Sequence, residues 1–402
     1  MRTLTLLALA TLLLLAINVY VYRHTKRAFG TRWQTSLRVL LSVIVFGMIA
    51  SVGSRLLARS WITDWTHPVA ILGLGIEVAV SMAMVGYLLV DTARLVGKLW
   101  VRFRTRGART TTEEPAAEHA PSRREFIANT ASLSILAASS ATSAYGILFG
   151  RHDYEIETVP IRIPGLSSRL DGYTIVQLSD IHFGAFVGEP ELRAAVERVR
   201  TARPDLVVLT GDLLDHDVAY APLLGKLIRE LEPLARDGVR VIPGNHDYYA
   251  GVDEVLRTAT RAGGHVLFNR GEVIGQGRDA FAMLGVDDLW ARRSIPGRGP
   301  QLEHALATVP RDLPRILLAH NPAFFPEAAP HVQLQLSGHT HGGQINIGDA
   351  VTTRLVRGGY LRGHYERGES QLYVNRGFGT AGPPIRVGSS PEITRVVLTS
   401  RA

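Results

Sequence analysis

The run GHTHGGQ (Gly338–Gln344) sets His339 and His341 two residues apart among glycines. Structural histidines usually stand alone, so a close pair suggests a metal. Four other clusters offer related donors: Asp180 with His182, Asp212 with Asp215, the triplet Asn245, His246 and Asp247, and His320. Any one of these has a plain explanation as a cap or a turn. Five in series, drawing on five of the fourteen histidines, point to a site. The chain has no cysteine, which excludes disulfides, thiolate metal sites and a Cys nucleophile. A metal must therefore be held by His, Asp, Glu or Asn. Carboxylate, imidazole and amide oxygen together suit Zn, Mn or Fe better than Ca or Mg. The candidates outnumber the ligands of one ion, which implies two. Two divalent ions about 3.5–4 Å apart polarise a phosphoryl oxygen, bring a bound water's pKa near neutrality and stabilise both entering and leaving oxygens. That is the chemistry of phosphate-ester hydrolysis.

The elements that must position these residues are short apolar strands alternating with helices. YTIVQLSDIH, DLVVLTGDLLD, VRVIPGNHD, RILLAHNP and VQLQLSGHTHGG each run from an apolar strand into a polar cluster, and PELRAAVERVRTARP is an amphipathic helix between two of them. Such alternation predicts α/β layers whose central strands are apolar on both faces. Ligands in these layers gather at the carboxyl ends of strands, where every cluster lies. Glycines beside Asp212, Asn245, His339 and His341 permit the sharp turns and close approaches of a crowded site.

In this order, DIH, GDLLD, GNHD, AHNP and GHTHGGQ resemble the motif series of the calcineurin-like metallophosphoesterases. YVNRGFG and PPIRVGSSPEI near the end resemble the membrane-anchored bacterial branch of that family. The resemblance implies a four-layer sandwich of two mixed β-sheets flanked by helices. It also implies that Asp180, His182 and His341 hold a first ion and Asn245, His320 and His339 a second, with Asp212 bridging them and a shared hydroxide attacking phosphorus in line. His246 matches the family's non-ligand histidine, which bonds the phosphate and protonates the leaving oxygen, and Asp247 would orient it. Asp215 is open between a partner behind the ligands and a plain loop carboxylate. Arg376 and Arg386 are open between phosphate contacts and surface arginines. Proteins of the branch include hydrolases of lipid-linked or nucleotide-linked diphosphates, and a membrane tether favours a lipid-linked or envelope substrate. Monoester, diester and diphosphate are not distinguished. The competing reading is a metal-binding sensor or scaffold without turnover, in which His246 would be superfluous.

The first 150 residues differ in kind. Leu4–Val21, Ser36–Gly53 and Pro68–Val90 are apolar runs long enough to cross a bilayer as helices. Glu77, the one acid within them, either serves a function or faces a helix partner. Thirteen Lys and Arg follow the first and third spans, against three on the alternate sides, so those loops are expected in the cytoplasm. Residues 105–122 read as a linker. Ser122–Ile127 then resembles a twin-arginine signal, followed by a weakly apolar stretch without a clean cleavage site, which reads as a retained anchor. The expected organisation is a three-helix membrane region over 1–100, a cytoplasmic linker over 101–125, a signal or anchor helix over 126–150 and a catalytic domain over 155–402 outside the inner membrane. Residues 1–150 carry 16 basic and 7 acidic side chains and the remainder 28 and 29, so the net charge of +8 is a juxtamembrane excess. No nucleic-acid partner is expected.

Overall fold

The structure, a computed structural model, describes residues 2–29, 33–57, 66–104 and 123–401. They form two compact units, Met1–Ile147 and Leu148–Ala402. The linker expected over 105–122, including Ser122 of the twin-arginine-like segment, lies outside the described residues.

The first unit contains four helices, α1 (Arg2–Phe29), α2 (Gln34–Leu57), α3 (Thr66–Arg104) and α4 (Arg123–Leu148). All four include a stretch long and apolar enough to cross a membrane. Helix α3 continues through Arg94, Lys98, Arg102 and Arg104, because Lys, Arg, Leu and Trp sustain a helix and cations suit its C-terminal end. Its 39 residues exceed the roughly 20 that span the hydrocarbon core, so the basic turns continue past the apolar span. Small residues let the helices approach closely: a Cβ on Gly73 would stand 2.5 Å from that of Ala50, and Ser143 donates to the Gly75 carbonyl at 2.7 Å. Glu77 is buried and accepts from Asn18 Nδ2 of α1 at 2.9 Å, so it faces a helix partner.

The second unit is a sandwich of two six-stranded mixed sheets. Its strands are β1 (Glu155–Arg162), β2 (Thr174–Leu178), β3 (Leu206–Thr210), β4 (Val239–Ile242), β5 (His265–Val266), β6 (Arg270–Gln276), β7 (Asp279–Gly285), β8 (Arg315–Leu318), β9 (Leu334–Ser337), β10 (Gly363–Arg367), β11 (Ser370–Val374) and β12 (Glu392–Thr399). One sheet runs β1-β12-β2-β3-β4-β5 and the other β10-β11-β9-β8-β7-β6. Strands β2 to β5 are mutually parallel, as are β7, β8, β9 and β11. Alternation along each strand divides the core. Leu206 and Val208 of β3 meet Ile316 and Leu318 of β8 and Phe281 and Met283 of β7 in the inter-sheet layer. Val207 and Leu209 face the opposite way, toward α5 (Glu189–Ala202) and α6 (Ala221–Leu231). Both faces are covered, so the central strands are mostly apolar, with Gln177, Arg240 and Gln335 as buried polar exceptions. Helix α5 presents Leu192, Ala195, Val196 and Val199 at helical spacing, and Glu191 accepts from Gly188 N at its start.

Candidate metal centre

The carboxyl ends of β2, β3 and β4 in one sheet and of β8 and β9 in the other deliver the candidate residues to one place. Asp180 and His182 follow β2, and Asp212 follows β3. Asn245, His246 and Asp247 open the short helix α7 (Asn245–Ala250) after β4; His320 follows β8, and His339 and His341 follow β9. Seven described non-glycine residues have positive φ, and five of them are Asp180, His182, Asp212, His339 and His341, at +50° to +74°. Asp and His tolerate this region better than branched side chains, yet each such residue carries about 1–3 kcal/mol of strain. Strain concentrated on these donors shows that the surrounding fold holds them in place. Two glycines complete the packing: a Cβ on Gly338 would lie 2.1 Å from Asp180 Oδ2, and one on Gly244 would lie 2.2 Å from Asp212 Oδ1.

Four donor clusters result among the described residues: Asp180 with His182 and His341, Asp212 with His320 and His339, and two that include His246, one with His182 and Asp212 and one with Asp215 and His216. His182 Nε2 and His341 Nε2 are 3.1 Å apart, with Asp180 Oδ1 3.3 Å from the latter. His320 Nε2 is 3.3 Å from His339 Nδ1 and 3.2 Å from Asp212 Oδ2. That same oxygen of Asp212 is 3.6 Å from His182 Nε2, so it touches both of the first two clusters. Asp180 also accepts from the His339 backbone amide at 2.9 and 3.0 Å.

The donors fit a pair of cations. Lone pairs of two facing imidazoles repel unless a proton or a cation lies between them. His320 donates Nδ1–H to the Thr210 carbonyl at 2.8 Å, which leaves Nε2 toward Asp212 to carry either a proton or a cation. Asn245 Oδ1 is buried with no hydrogen-bond partner among the described residues, an oxygen oriented for a cation. Burial foremost pushes His339 and His341 down to about 4, so both are neutral donors at pH 7. Burial also disfavours charge on His320, but Asp212 overrides it and holds that imidazole well above its ordinary value. The Asp212 carboxyl, which burial would raise, is kept below the usual range by His320 and His182.

The carboxylates behind the site are arranged differently from expectation. Asp247, expected to orient His246, is fully buried and accepts backbone amides: Leu213 and Leu214 at 3.0 Å each, and Gly244 at 2.8 Å. It ties the loop carrying Asp212 to the start of α7. Burial and then the Asp212 charge push its carboxyl up to about 7, against those amide donors. The carboxylate beside the His246 ring is Asp215. His246 Nδ1 lies 3.1 Å from both the Asp215 carbonyl and Oδ1. A carbonyl only accepts, so Nδ1 carries a proton and Nε2 is the working nitrogen. Asp215 Oδ1 also lies 2.9 Å from His216 Nδ1 and 3.4 Å from His182 Nδ1. Burial lowers the His246 pKa, but the Asp215 hydrogen bond and the Asp212 and Asp215 charges raise it on balance. His246 N donates to Asp212 Oδ1 at 2.7 Å.

Neither candidate arginine faces this centre as a phosphate clamp. Arg376 is bonded to Glu392 at 2.6 Å and Glu155 at 2.8 Å. Arg386 is buried, and its donors end on the carbonyls of Arg376, Gly377, Gly379 and Ser389. It braces the C-terminal loop against His341, whose Nδ1 lies 3.2 Å away. Sequence reasoning passed over Asp288, although it follows the end of β7 as the ligands follow their strands. Its Oδ2 is buried without a partner among the described residues, and burial foremost raises the carboxyl to about 6.

Comparison with known proteins agrees with this architecture. Residues 173–343 match the family described as calcineurin-like phosphoesterase, and residues 1–151 match the probable calcineurin-like phosphoesterase transmembrane domain. A transmembrane protein with metallophosphoesterase domain from Danio rerio is 31% identical over 408 residues, covering 98% of this chain and 88% of its own. An uncharacterized metallophosphoesterase of Bacillus subtilis, YkuE, is 32% identical over 295 residues, covering 69% of this chain and 98% of its own. The relatives thus come from bacteria and animals alike. Two mixed sheets with metal-type donors at their strand ends, joined to four apolar helices and matched almost end to end by such a relative, place the chain in the calcineurin-like metallophosphoesterase family, among the members that carry an N-terminal transmembrane domain.

Proposed function

We propose that the chain is a membrane-anchored phosphoesterase that uses two divalent ions, Zn, Mn or Fe, to hydrolyse a phosphate ester or diphosphate bond. The observation that carries this reading is Asp212 Oδ2, 3.2 Å from His320 Nε2 and 3.6 Å from His182 Nε2. Asp180, His182 and His341 would hold one ion, Asn245, His320 and His339 the other, and Asp212 both. When bound, such ions supply the positive charge that polarises the phosphoryl group and activates water as the nucleophile. The remaining work belongs to side chains. His246, with Nδ1–H fixed by Asp215, presents Nε2 to the phosphate. In its protonated form it donates to a phosphoryl oxygen and delivers a proton to the leaving oxygen as the P–O bond breaks. Asp215 favours that protonated form, and Asp247 keeps the Asp212 loop against α7.

The positive loops and the arginine pair in Ser122–Ile127 support a topology with the catalytic unit outside the inner membrane, anchored by α4 as in the membrane-bound bacterial branch. A lipid-linked or envelope substrate follows from such tethering. The test is hydrolysis of bis(p-nitrophenyl) phosphate and p-nitrophenyl phosphate by the full chain with added Mn or Zn. Asp212→Asn is expected to abolish metal-dependent turnover, and undiminished turnover in that variant rejects the site. A wild-type chain that binds metal stoichiometrically but hydrolyses no phosphate ester is a sensor or scaffold instead.

A further inference from the structure

A cavity of about 480 Å³ opens directly on the centre, with Asn245 and His339 in its lining. Its volume is that of a site for a small organic ligand rather than for inorganic phosphate alone. Its wall is in part aromatic and in part aliphatic. Trp290 packs edge-on against Tyr249 at 5.1 Å, and Leu289, Pro322, Leu355 and Val356 continue the surface. Leu355 is 82% exposed. Val351 lies four residues before it on the preceding helical turn and is 51% exposed, and Ile347, just ahead of that helix, is 71% exposed. A lone exposed leucine means little, but an exposed cavity-lining leucine with two more exposed aliphatic side chains within eight residues before it marks a contact surface.

The polar content of the wall is equally specific. Arg293 and Arg357 line it, and neither has a carboxylate partner among the described residues. Among the neutral polar side chains of the lining, Asn321 Oδ1 accepts from the Ala323 amide and the Thr340 hydroxyl donates to the Leu361 carbonyl. Two free cations and an aliphatic exit match an anionic amphiphile.

We propose that this cavity selects an alkyl- or acyl-bearing phosphate ester or diphosphate. Its scissile phosphate would lie at Asn245 and His339, its further negative charge on Arg293 and Arg357, and its chain along Trp290 and Leu355 and out over Val351. The inference rests on the phosphoesterase reading and names its substrate class. Hydrolysis adds water across the P–O bond, and the leaving alcohol or phosphate takes the proton.

The test uses the full chain and p-nitrophenyl alkyl phosphates with methyl, butyl and octyl groups, kept below their aggregation concentrations. Each fully buried methylene is worth roughly fourfold, so even partial burial of the octyl chain is expected to raise kcat/KM at least about tenfold over methyl. Leu355→Asp and Val351→Asp are expected to flatten that dependence. Equal kcat/KM for all three esters in the wild-type chain overturns the proposal. Binding of octylphosphonate and methylphosphonate, read by the fluorescence that Trp290→Phe removes, separates this claim from the one it rests on. Selective octylphosphonate binding without turnover of any ester keeps the cavity assignment and sinks the phosphoesterase reading. Equal binding of the two phosphonates, or tighter binding of uridine diphosphate that Leu355→Asp leaves unchanged, overturns the amphiphile in turn.

Discussion

Replacing Asp215 by asparagine isolates the role of the carboxylate behind His246. The wild-type Oδ1 lies 3.1 Å from His246 Nδ1, and asparagine retains an oxygen acceptor there while removing the charge. A hydrogen bond to a charged partner contributes about 1.5–3 kcal/mol and a neutral one about 0.5–1.5. The difference between the midpoints, roughly 1.2 kcal/mol, corresponds to nearly one pKa unit. The sign follows from the role of His246. As the proton donor it works when protonated, so activity falls as pH rises through its pKa, and Asp215 holds that pKa up. Asp215→Asn therefore moves the alkaline limb of the kcat profile about one unit toward lower pH. At a pH above the wild-type limb kcat drops about tenfold, while the plateau below the limb changes little. The assay is kcat against pH on a substrate with a poor leaving group, where protonation of the leaving oxygen matters. Asp247→Asn serves as the control, because among the described residues the Asp247 carboxylate accepts from backbone amides of Leu213, Leu214 and Gly244 and none from His246. An unmoved limb in Asp215→Asn together with a shifted one in Asp247→Asn would refute the assignment and restore Asp247 as the orienting group.

Other consequences are equally direct. Gly244→Ala places a methyl 2.2 Å from Asp212 Oδ1 and is expected to displace that carboxylate, so the folded variant should retain less metal than wild type by elemental analysis; full loading contradicts the close-packed bridge. Arg386→Met strands buried carbonyls of Arg376, Gly377, Gly379 and Ser389 and is expected to cost about 3–5 kcal/mol, a fall in Tm of about 10 °C or more by thermal unfolding of the full chain. An unchanged Tm removes the bracing role. Because Asp212 holds His320 protonated in the metal-free chain, metal binding at pH 7 is expected to release about one proton from it. Calorimetry in buffers of different ionisation enthalpy reads that number, and an enthalpy independent of buffer contradicts it.

Much of the site was legible because it obeys one positional rule. In a strand covered on both faces the metal-type side chains collect at the carboxyl end, and β2, β3, β4, β8 and β9 all end beside one another across the two sheets. The rule failed where neighbours in sequence diverge in space. His246 and Asp247 are adjacent on α7, but successive helical side chains point about 100° apart. One therefore faces the centre while the other turns into the backbone of the Asp212 loop, and the carboxylate that reaches His246 comes from Asp215, 31 residues earlier. Arg376 and Arg386 were ambiguous for a related reason. Their partners lie on β1, β12 and the final loop, contacts that no local pattern encodes. The cavity wall was invisible, since Trp290 and Leu355 lie in separate short segments 65 residues apart and line one cavity only through the fold. Asp288 was within reach of the same strand-end rule, but a carboxylate after β7 without a histidine beside it did not stand out.

The central claim is that Asp212 touches two ions at once. Anomalous diffraction at the metal edge, on crystals of the metal-loaded full chain, tests it most directly. The expected result is two peaks about 3.5–4 Å apart, both in contact with the Asp212 carboxylate, one beside Asp180, His182 and His341 and the other beside Asn245, His320 and His339. A single peak in an active enzyme, or two peaks beyond the reach of that carboxylate, would contradict it.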